Sequence, residues 1–248
     1  MASLGQADDM ALVSNDIQQL QHLLNLSLIY CKKHQVQLSA EKTKLLLYSE
    51  TETDYTKYAR LLSPLPIDDT PIPFTDTAEH VGVLRSVSGN MPHILQRIIC
   101  HKRALGQILS MGMSRRHRAN LIATLRGENI FVSPVLFSGI ASLILTKPES
   151  DILAQHVKVT TEKLLKLHPK TPEPVVFFLA GRLPGEALLH LKQLTLFCMI
   201  CRLPGNILHK IAVQLLTSAK QNNKNWFLNI RSLCYMYNVQ PPTPPTPA

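Results

Sequence analysis

Gln6-Ala7-Asp8-Asp9-Met10-Ala11-Leu12-Val13-Ser14 is the stretch whose reading decides the fold. Two adjacent carboxylates stand between two short apolar runs, Ala2–Leu4 and Met10–Val13. The second run alternates: Met10, Leu12 and Ser14 point one way, Ala11 and Val13 the other, which is the period of a strand. The segment is therefore expected to form a β-hairpin with Asp8 and Asp9 in or beside its tight turn. Adjacent acids in such a turn are most often only solvated turn residues, since Asp favours turns for its own backbone reasons. Held close together, they also suit Mg²⁺, a hard cation that takes one or two protein carboxylates together with substrate phosphates. Two-metal phosphoryl-transfer sites need an acidic turn of this kind.

Working outward, Asn15 or Asp16 is a good helix N-cap. Ile17, Leu20, Leu24, Leu28 and Cys31 then recur at helical spacing, widened by Leu23. Gln18, Gln19, Gln21, Lys32 and Lys33 take the other face. The pattern predicts an amphipathic helix over about residues 16–34. Val36 and Leu38 lead out of it into Ser39-Ala40-Glu41-Lys42-Thr43-Lys44, followed by Leu45-Leu46-Leu47-Tyr48, which reads as a strand. The Pro- and Asp-rich stretch 63–73 reads as a loop. Ile72–Phe74 and His80-Val81-Gly82-Val83-Leu84 read as two more short strands.

This order of pieces resembles the second half of the palm in reverse transcriptases of non-LTR (LINE-type) retrotransposons. The resemblance lies in QADDMALVS, a helix, LSAEKTKLLLYS and then AEHVGVLRS, and it covers residues 3–86. It implies that Asp8 is the main metal-binding carboxylate of the turn and Asp9 its neighbour, serving Mg²⁺. It implies a place for Lys42 near the leaving pyrophosphate, where its charge would stabilise developing negative charge or donate a proton. A solvated lysine at a strand edge is the plain alternative. Gly82 matches the glycine of the primer-gripping strand; a bulge or close-approach glycine is the alternative there. Position 6 departs from the family: it is Gln where many members carry an aromatic residue. Val81 stands where Leu is frequent.

Only five residues precede Gln6, so the fingers and the strand carrying the first catalytic aspartate have no room in this chain. A two-metal site draws ligands from both palm strands, and positioning is most of phosphoryl-transfer catalysis. The chain is expected to be inactive alone, a C-terminal piece of a retrotransposon polyprotein that would need another chain to supply the missing palm half. The partners implied are an RNA template and a DNA primer, with no small-molecule cofactor.

Lys and Arg total 26 against 17 Asp and Glu among the 248 residues, a net charge of +9, which favours polyanions such as nucleic acid. The charge is clustered. Arg97, His101, Lys102 and Arg103 come first, then Arg115, Arg116, His117 and Arg118, both groups in predicted helices where a thumb would follow the duplex. Contacts of this sort go to phosphates and carry affinity without reading sequence. Solvated helix faces of a mildly basic protein are the alternative. LFSGIASLILTKPESDI and LAGRLPGEALLHLKQLTLF resemble, more loosely, the helical region that follows the polymerase core.

Five scattered cysteines (31, 100, 198, 201 and 234) point to reduced thiols and an intracellular protein, nuclear or cytoplasmic and not secreted. Cys198-Met199-Ile200-Cys201 has CxxC spacing without a flanking partner pair and lies in an apolar run, so core packing is expected. The stretch 129–146 carries no charge, but Pro134, Gly139 and its serines fit a buried helix better than a membrane span. Thr146-Lys147-Pro148-Glu149 resembles a capping box opening a helix to about Leu167. Pro172 and Pro174 mark a linker, and two later helices are broken at Pro184-Gly185 and Pro204-Gly205. The tail 241–248 is expected to be extended and disordered.

The expected fold class is α+β: a partial polymerase palm (1–90), a thumb-like helical region (91–145), a C-terminal helical region (146–240) and the Pro-rich tail. Two readings of other classes stand beside it. One is a non-catalytic nucleic-acid-binding module using the basic helices. The other is a helical interaction protein whose acids are ordinary turn residues.

Overall fold

The computed structural model describes residues 2–6, 9–48, 65–68, 70–113, 120–202, 207–218 and 225–239. It is mixed, mostly helical with short antiparallel strand pairs, compatible with the α+β class. The chain divides into two compact units, Met1–His93 and Ile94–Ala248.

The first unit opens with the expected hairpin. β1 (Ala2–Gln6) pairs antiparallel with β2 (Asp9–Val13), in a register running from Ala2↔Val13 to Gln6↔Asp9. Asp16 then caps α1 (Ile17–Lys33), its Oδ1 accepting from the Gln18 N–H at 3.2 Å. The apolar stripe read from the sequence is the buried face: Leu24 is buried among Leu12, Ile17, Leu20 and Leu28. Leu65, Ile67 and Ile72 close the same cluster, carried by a short pair, β3 (Pro66–Ile67) with β4 (Thr70–Pro71).

Two strands expected from apolar runs take other forms. Leu45–Tyr48 contributes only an isolated parallel bridge from Leu45 to Phe74, with the Leu45 N–H on the Pro73 carbonyl and the Thr75 N–H on the Leu45 carbonyl. Ile72–Phe74 likewise forms no continuous strand: the Ile72 N–H donates to the Leu65 carbonyl at 2.8 Å, just past the β3–β4 pair, and Phe74 takes part only in the bridge to Leu45. The stretch 80–84 is not a strand but the bend of a hairpin. β5 (Thr77–His80) pairs with β6 (Val83–Ser86), leaving Val81 and Gly82 as the two-residue turn. Both have positive φ, 49° and 71°, the conformation that two-residue hairpins require to match strand twist.

Gly82 meets that demand without cost. Val81, β-branched, does not, and pays roughly 1–2 kcal/mol for a left-handed backbone. Val81→Asn is accordingly expected to stabilise the hairpin by about 0.5–1 kcal/mol. Slower hydrogen exchange at the Leu84 amide, which donates to His93 Nδ1 at 3.1 Å, would register the gain. An unchanged rate would mean that the turn is not strained.

The second unit is helical. α2 (Met91–Ile108) runs into a π-helical turn (Leu109–Met113) that is kinked at Gly112, whose φ is 104°. α3 (Leu121–Gly127), capped by Asn120, continues into a second π turn (Glu128–Val132) and α4 (Ser133–Phe137). A 3₁₀ turn (Ile140–Ser142) follows left-handed Gly139. The single buried helix expected over 129–146 is thus three short pieces: Gly139 ends one, and Leu143 leaves the next in extended backbone. No helix among the described residues is long and apolar enough to cross a membrane.

α5 (Lys147–Leu165) begins with the capping box read from the sequence. The Glu149 carboxylate accepts from the Thr146 N–H at 2.7 Å. It stops at Leu165, with Lys166 left-handed as the cap. Pro172 and Pro174 do not mark a linker. Proline suits a first helical turn, and they start α6 (Glu173–Ala180). α7 (Gly185–Cys201) begins at Pro184-Gly185 as read, and α8 (Ile207–Ser218) and α9 (Trp226–Met236) follow. The break expected at Pro204-Gly205 and the tail 241–248 lie outside the described residues.

One core joins α2, α4, α5, α6 and α7 through Ile94, Ile98, Leu136, Phe137, Leu153, Val157, Phe177 and Leu189. Residues on both sides of the 145/146 boundary therefore pack in one unit. A second, smaller cluster packs Phe197 of α7 against Ile230, Leu233 and Cys234 of α9. There Trp226 Nε1 donates to the Ala141 carbonyl at 3.0 Å.

Candidate functional site

The acidic hairpin is in place, but only part of it is described. Asp9 is exposed at the start of β2, across from Gln6. Asp8 lies outside the described residues. An exposed carboxylate at this place is of the donor type that Mg²⁺ takes, one or two at a time beside phosphate oxygens and water. No catalytic step is derived through the ion.

Lys42 is exposed in a turn closed by Ser39, whose hydroxyl accepts from the Lys42 N–H at 3.3 Å. Thr43 seals the same turn: its hydroxyl donates to the Ser39 carbonyl at 2.7 Å. The lysine is thus placed by local backbone bonding in a turn, rather than on a strand edge. Gly82 is the second residue of the β5–β6 turn, and a Cβ there would meet nothing within 4 Å. Its glycine is required by its φ, not by a close approach.

Of the basic residues on α2, Lys102 and Arg103 are exposed and Arg97 is half-buried. Five and six residues beyond Arg97, they project to different sides of a helix with about 3.6 residues per turn. They do not make one continuous stripe. His101, counted with them in the sequence, is 1% exposed and belongs to the interior. Arg115, Arg116, His117 and Arg118 lie outside the described residues.

The CxxC pair is also corrected. Cys198 faces solvent, while Cys201 is packed beside Cys234 at the α7–α9 cluster. The residue of that run that fills the core is Phe197, one position earlier. Burial, followed by the nearby Cys198 thiol, raises the pKa of both Cys201 and Cys234, so they stay protonated and poorly nucleophilic.

What sequence reading missed is a chain of buried polar groups in the helical unit. Glu128, 2% exposed in the second π turn, is held from two sides. Arg182, between α6 and α7, donates from Nη1 to Oε2 at 2.7 Å. His101 of α2 approaches Oε1 through Nε2 at 3.3 Å. The other nitrogen of His101, Nδ1, lies 3.1 Å from Nε2 of His156 on α5, the two rings meeting edge to face. Four segments distant in sequence are thus tied by one network. Each member looks ordinary alone, but one signal was present: Glu128 and Arg182 are lone charges at the ends of long apolar runs. A charge there must be paired if it is buried.

His156 is the member nearest solvent. Burial first, then the neighbouring His101, Lys102 and Lys163, pushes its pKa down to about 4, with Glu128 opposing. The ring is neutral at pH 7.

Comparison with protein-family models, with curated proteins and with solved structures returns no match for this chain.

Proposed function

We propose that this chain derives from the LINE-type reverse transcriptases it resembles, its first unit corresponding to the second half of a palm and its helices to the thumb and the region beyond. The observation that carries the reading is the order of paired elements. A hairpin whose second strand opens with Asp9 is followed directly by a helix whose apolar face packs on Leu12 of that hairpin, and then by a second hairpin at AEHVGVLRS. In this reading Asp8 and Asp9 are the inherited carboxylates for Mg²⁺, and Lys42 is the inherited charge for the leaving pyrophosphate. Gly82 shapes the primer-side hairpin. The exposed Lys102 and Arg103, with Arg97, Arg115, Arg116 and Arg118, would meet the phosphate backbone of an RNA template and DNA primer.

The inherited reaction is RNA-directed DNA synthesis. The residues that resemble the family supply carboxylates from only one side of a two-metal site. The activity this reading proposes for the chain is sequence-tolerant binding of nucleic acid, which is also what a non-catalytic binding module would do. The net charge of +9 supports that part of the reading.

The test is primer extension on a primed RNA template with Mg²⁺, beside Asp8→Ala. No extension is expected, together with salt-sensitive retention of the primed template that weakens when Arg115, Arg116 and Arg118 are neutralised. Extension abolished by Asp8→Ala would show that a complete site assembles and would overturn the expected inactivity. Absence of both extension and retention would leave the helical interaction protein as the better account.

A further inference from the structure

The chain leaves α1 through a turn with a space beneath it. His34 caps the helix, the Gln35 N–H donates to the Lys32 carbonyl at 3.3 Å, and the Val36 N–H donates to the Cys31 carbonyl at 2.9 Å. This pair of bonds closes a helix through one left-handed residue, here Gln35 with φ 57°. The residue after such a cap commonly packs back on the last helical turn. Here Val36 and Cys31 are instead two walls of a half-open cavity of about 210 Å³, with Leu28 and Leu38 as its other apolar walls. Leu28 and Leu38 rest on the core around Leu24, so the back of the cavity is held by packing.

The rim is polar and comes from both sides of the space. Lys32, in the last turn of α1, reaches Asp68 in the β3–β4 turn, with Nζ 3.0 Å from Oδ1. The two residues are 36 positions apart, so the bond ties the helix end to the hairpin turn. Both side chains are well exposed, which makes the pair weak enough to loosen as a ligand enters. Gln35 and Gln37 complete the rim. Both are exposed, and neither side-chain amide has a hydrogen-bond partner among the described residues.

Three properties of the cavity select its ligand. The first is size. A cavity of about 150 Å³ takes benzene, and drug-sized sites begin at about 300 Å³. At about 210 Å³ this one takes a single ring with small substituents. The second is charge. Lys32 and Asp68 balance one another, so nothing at the rim repays an ion for leaving water, and a neutral ligand is favoured. The third is hydrogen bonding. Each glutamine amide offers an NH₂ donor and a carbonyl acceptor, the complement of a ring edge on which N–H and carbonyl alternate.

We propose that the cavity at the end of α1 binds a neutral six-membered heterocycle with an amide edge, the chemistry of a pyrimidine base. The ring lies against Leu28, Val36 and Leu38, and its N–H and carbonyl edge meets Gln35 and Gln37. The open side leaves room for a substituent, so the base is admitted either free or carried on a single strand. The site is built entirely from the first unit and does not rest on the basic residues of the helical unit.

The experiment titrates the full chain, labelled with ¹⁵N, with uracil while the amide resonances of Leu28, Val36 and Leu38 are followed. Saturable shifts are expected at these amides with a Kd of about 1 mM, in the range so few non-hydrogen atoms supply. Dimethylation of both uracil nitrogens removes the N–H groups and is expected to weaken binding about fivefold. Benzoate, of similar size but charged, is expected not to bind. Val36→Trp, at an exposed position, fills the space and removes the shifts at Leu28 and Leu38. Gln37→Leu, also exposed, weakens uracil and leaves the dimethylated ring unaffected. A short oligouridylate distinguishes the two sources: shifts at the same amides show a base entering from a strand, and their absence restricts the site to the free heterocycle.

Uracil and oligouridylate both failing to shift these amides overturns the proposal. So do shifts that persist in Val36→Trp, or benzoate binding as well as uracil. Oligouridylate retained by the chain without shifts at these amides, when uracil also gives none, leaves the nucleic-acid reading standing and removes this site.

Discussion

Arg182→Ala is expected to destabilise the helical unit by about 3–5 kcal/mol, the cost of stranding a buried charge whose partner has been removed. The guanidinium is 6% exposed and the Glu128 carboxylate 2%, with 2.7 Å between them. After truncation the carboxylate keeps only the longer contact to His101 at 3.3 Å, in surroundings too dry to solvate it. The pair itself need not be a large source of stability. Arg182 Nε is buried without a hydrogen-bond partner among the described residues, so part of the desolvation is never recovered. Replacing both members with apolar groups, Glu128→Met with Arg182→Met, is therefore expected to recover most of the loss. Lys147–Asp151, 3.0 Å apart but exposed on α5, should cost far less when broken, because solvent screens it. Trp226 is the single tryptophan and lies in the helical unit, so its fluorescence during urea unfolding reports the right transition. A loss below about 1 kcal/mol for Arg182→Ala would mean that Glu128 is solvated or neutral, contrary to its burial.

Elements that depend on local pattern were legible in the sequence. The β1–β2 hairpin, the α1 stripe and the Thr146–Glu149 capping box are set by residues within a turn or two of one another, so periodicity and capping chemistry reach them. The errors share a cause. Leu45 and Ile72 are the members of the two apolar runs that pack in the core around Leu24, and burial alone does not say whether a run pairs as a strand. His80–Leu84 was read through its apolar residues, whereas the Val81-Gly82 turn is decided by a positive φ at both positions, which valine conceals. The stretch 129–146 lacks charge as a buried helix would, but Gly139 divides it. At the candidate site the limit is different again. Glu128, Arg182, His101 and His156 are 26 to 81 residues apart or closer only through the fold, and a network closed by tertiary packing leaves no spacing to read. The same tertiary closure took His101 out of the basic cluster into which its neighbours had placed it.

Gly185→Val is expected to be the next most damaging substitution, because the start of α7 lies almost directly on α5. A Cβ at Gly185 would stand 2.8 Å from the Ala154 Cα, 3.2 Å from the Val157 Cβ and 3.4 Å from the Ala154 Cβ. The first of these is backbone and cannot rotate aside, so the helices must separate. Val157 and Leu189, on the two helices, are both in the main core, so separation loosens the layer that holds Leu153 and Phe177 as well. Overpacking of this kind costs about 1–3 kcal/mol, with alanine near the lower end and valine at or beyond the upper. Gly106 supplies the opposite case within the same unit. It lies inside α2 with nothing within 4 Å of its added Cβ, so Gly106→Ala should instead gain about 0.5–1 kcal/mol from the helix preference of alanine. The two glycine-to-alanine changes are chemically identical and should shift the urea midpoint in opposite directions. If Gly185→Ala raised the midpoint as Gly106→Ala does, α5 and α7 would not approach as closely as described, and the packing that places His156 and Arg182 in one network would have to be redrawn.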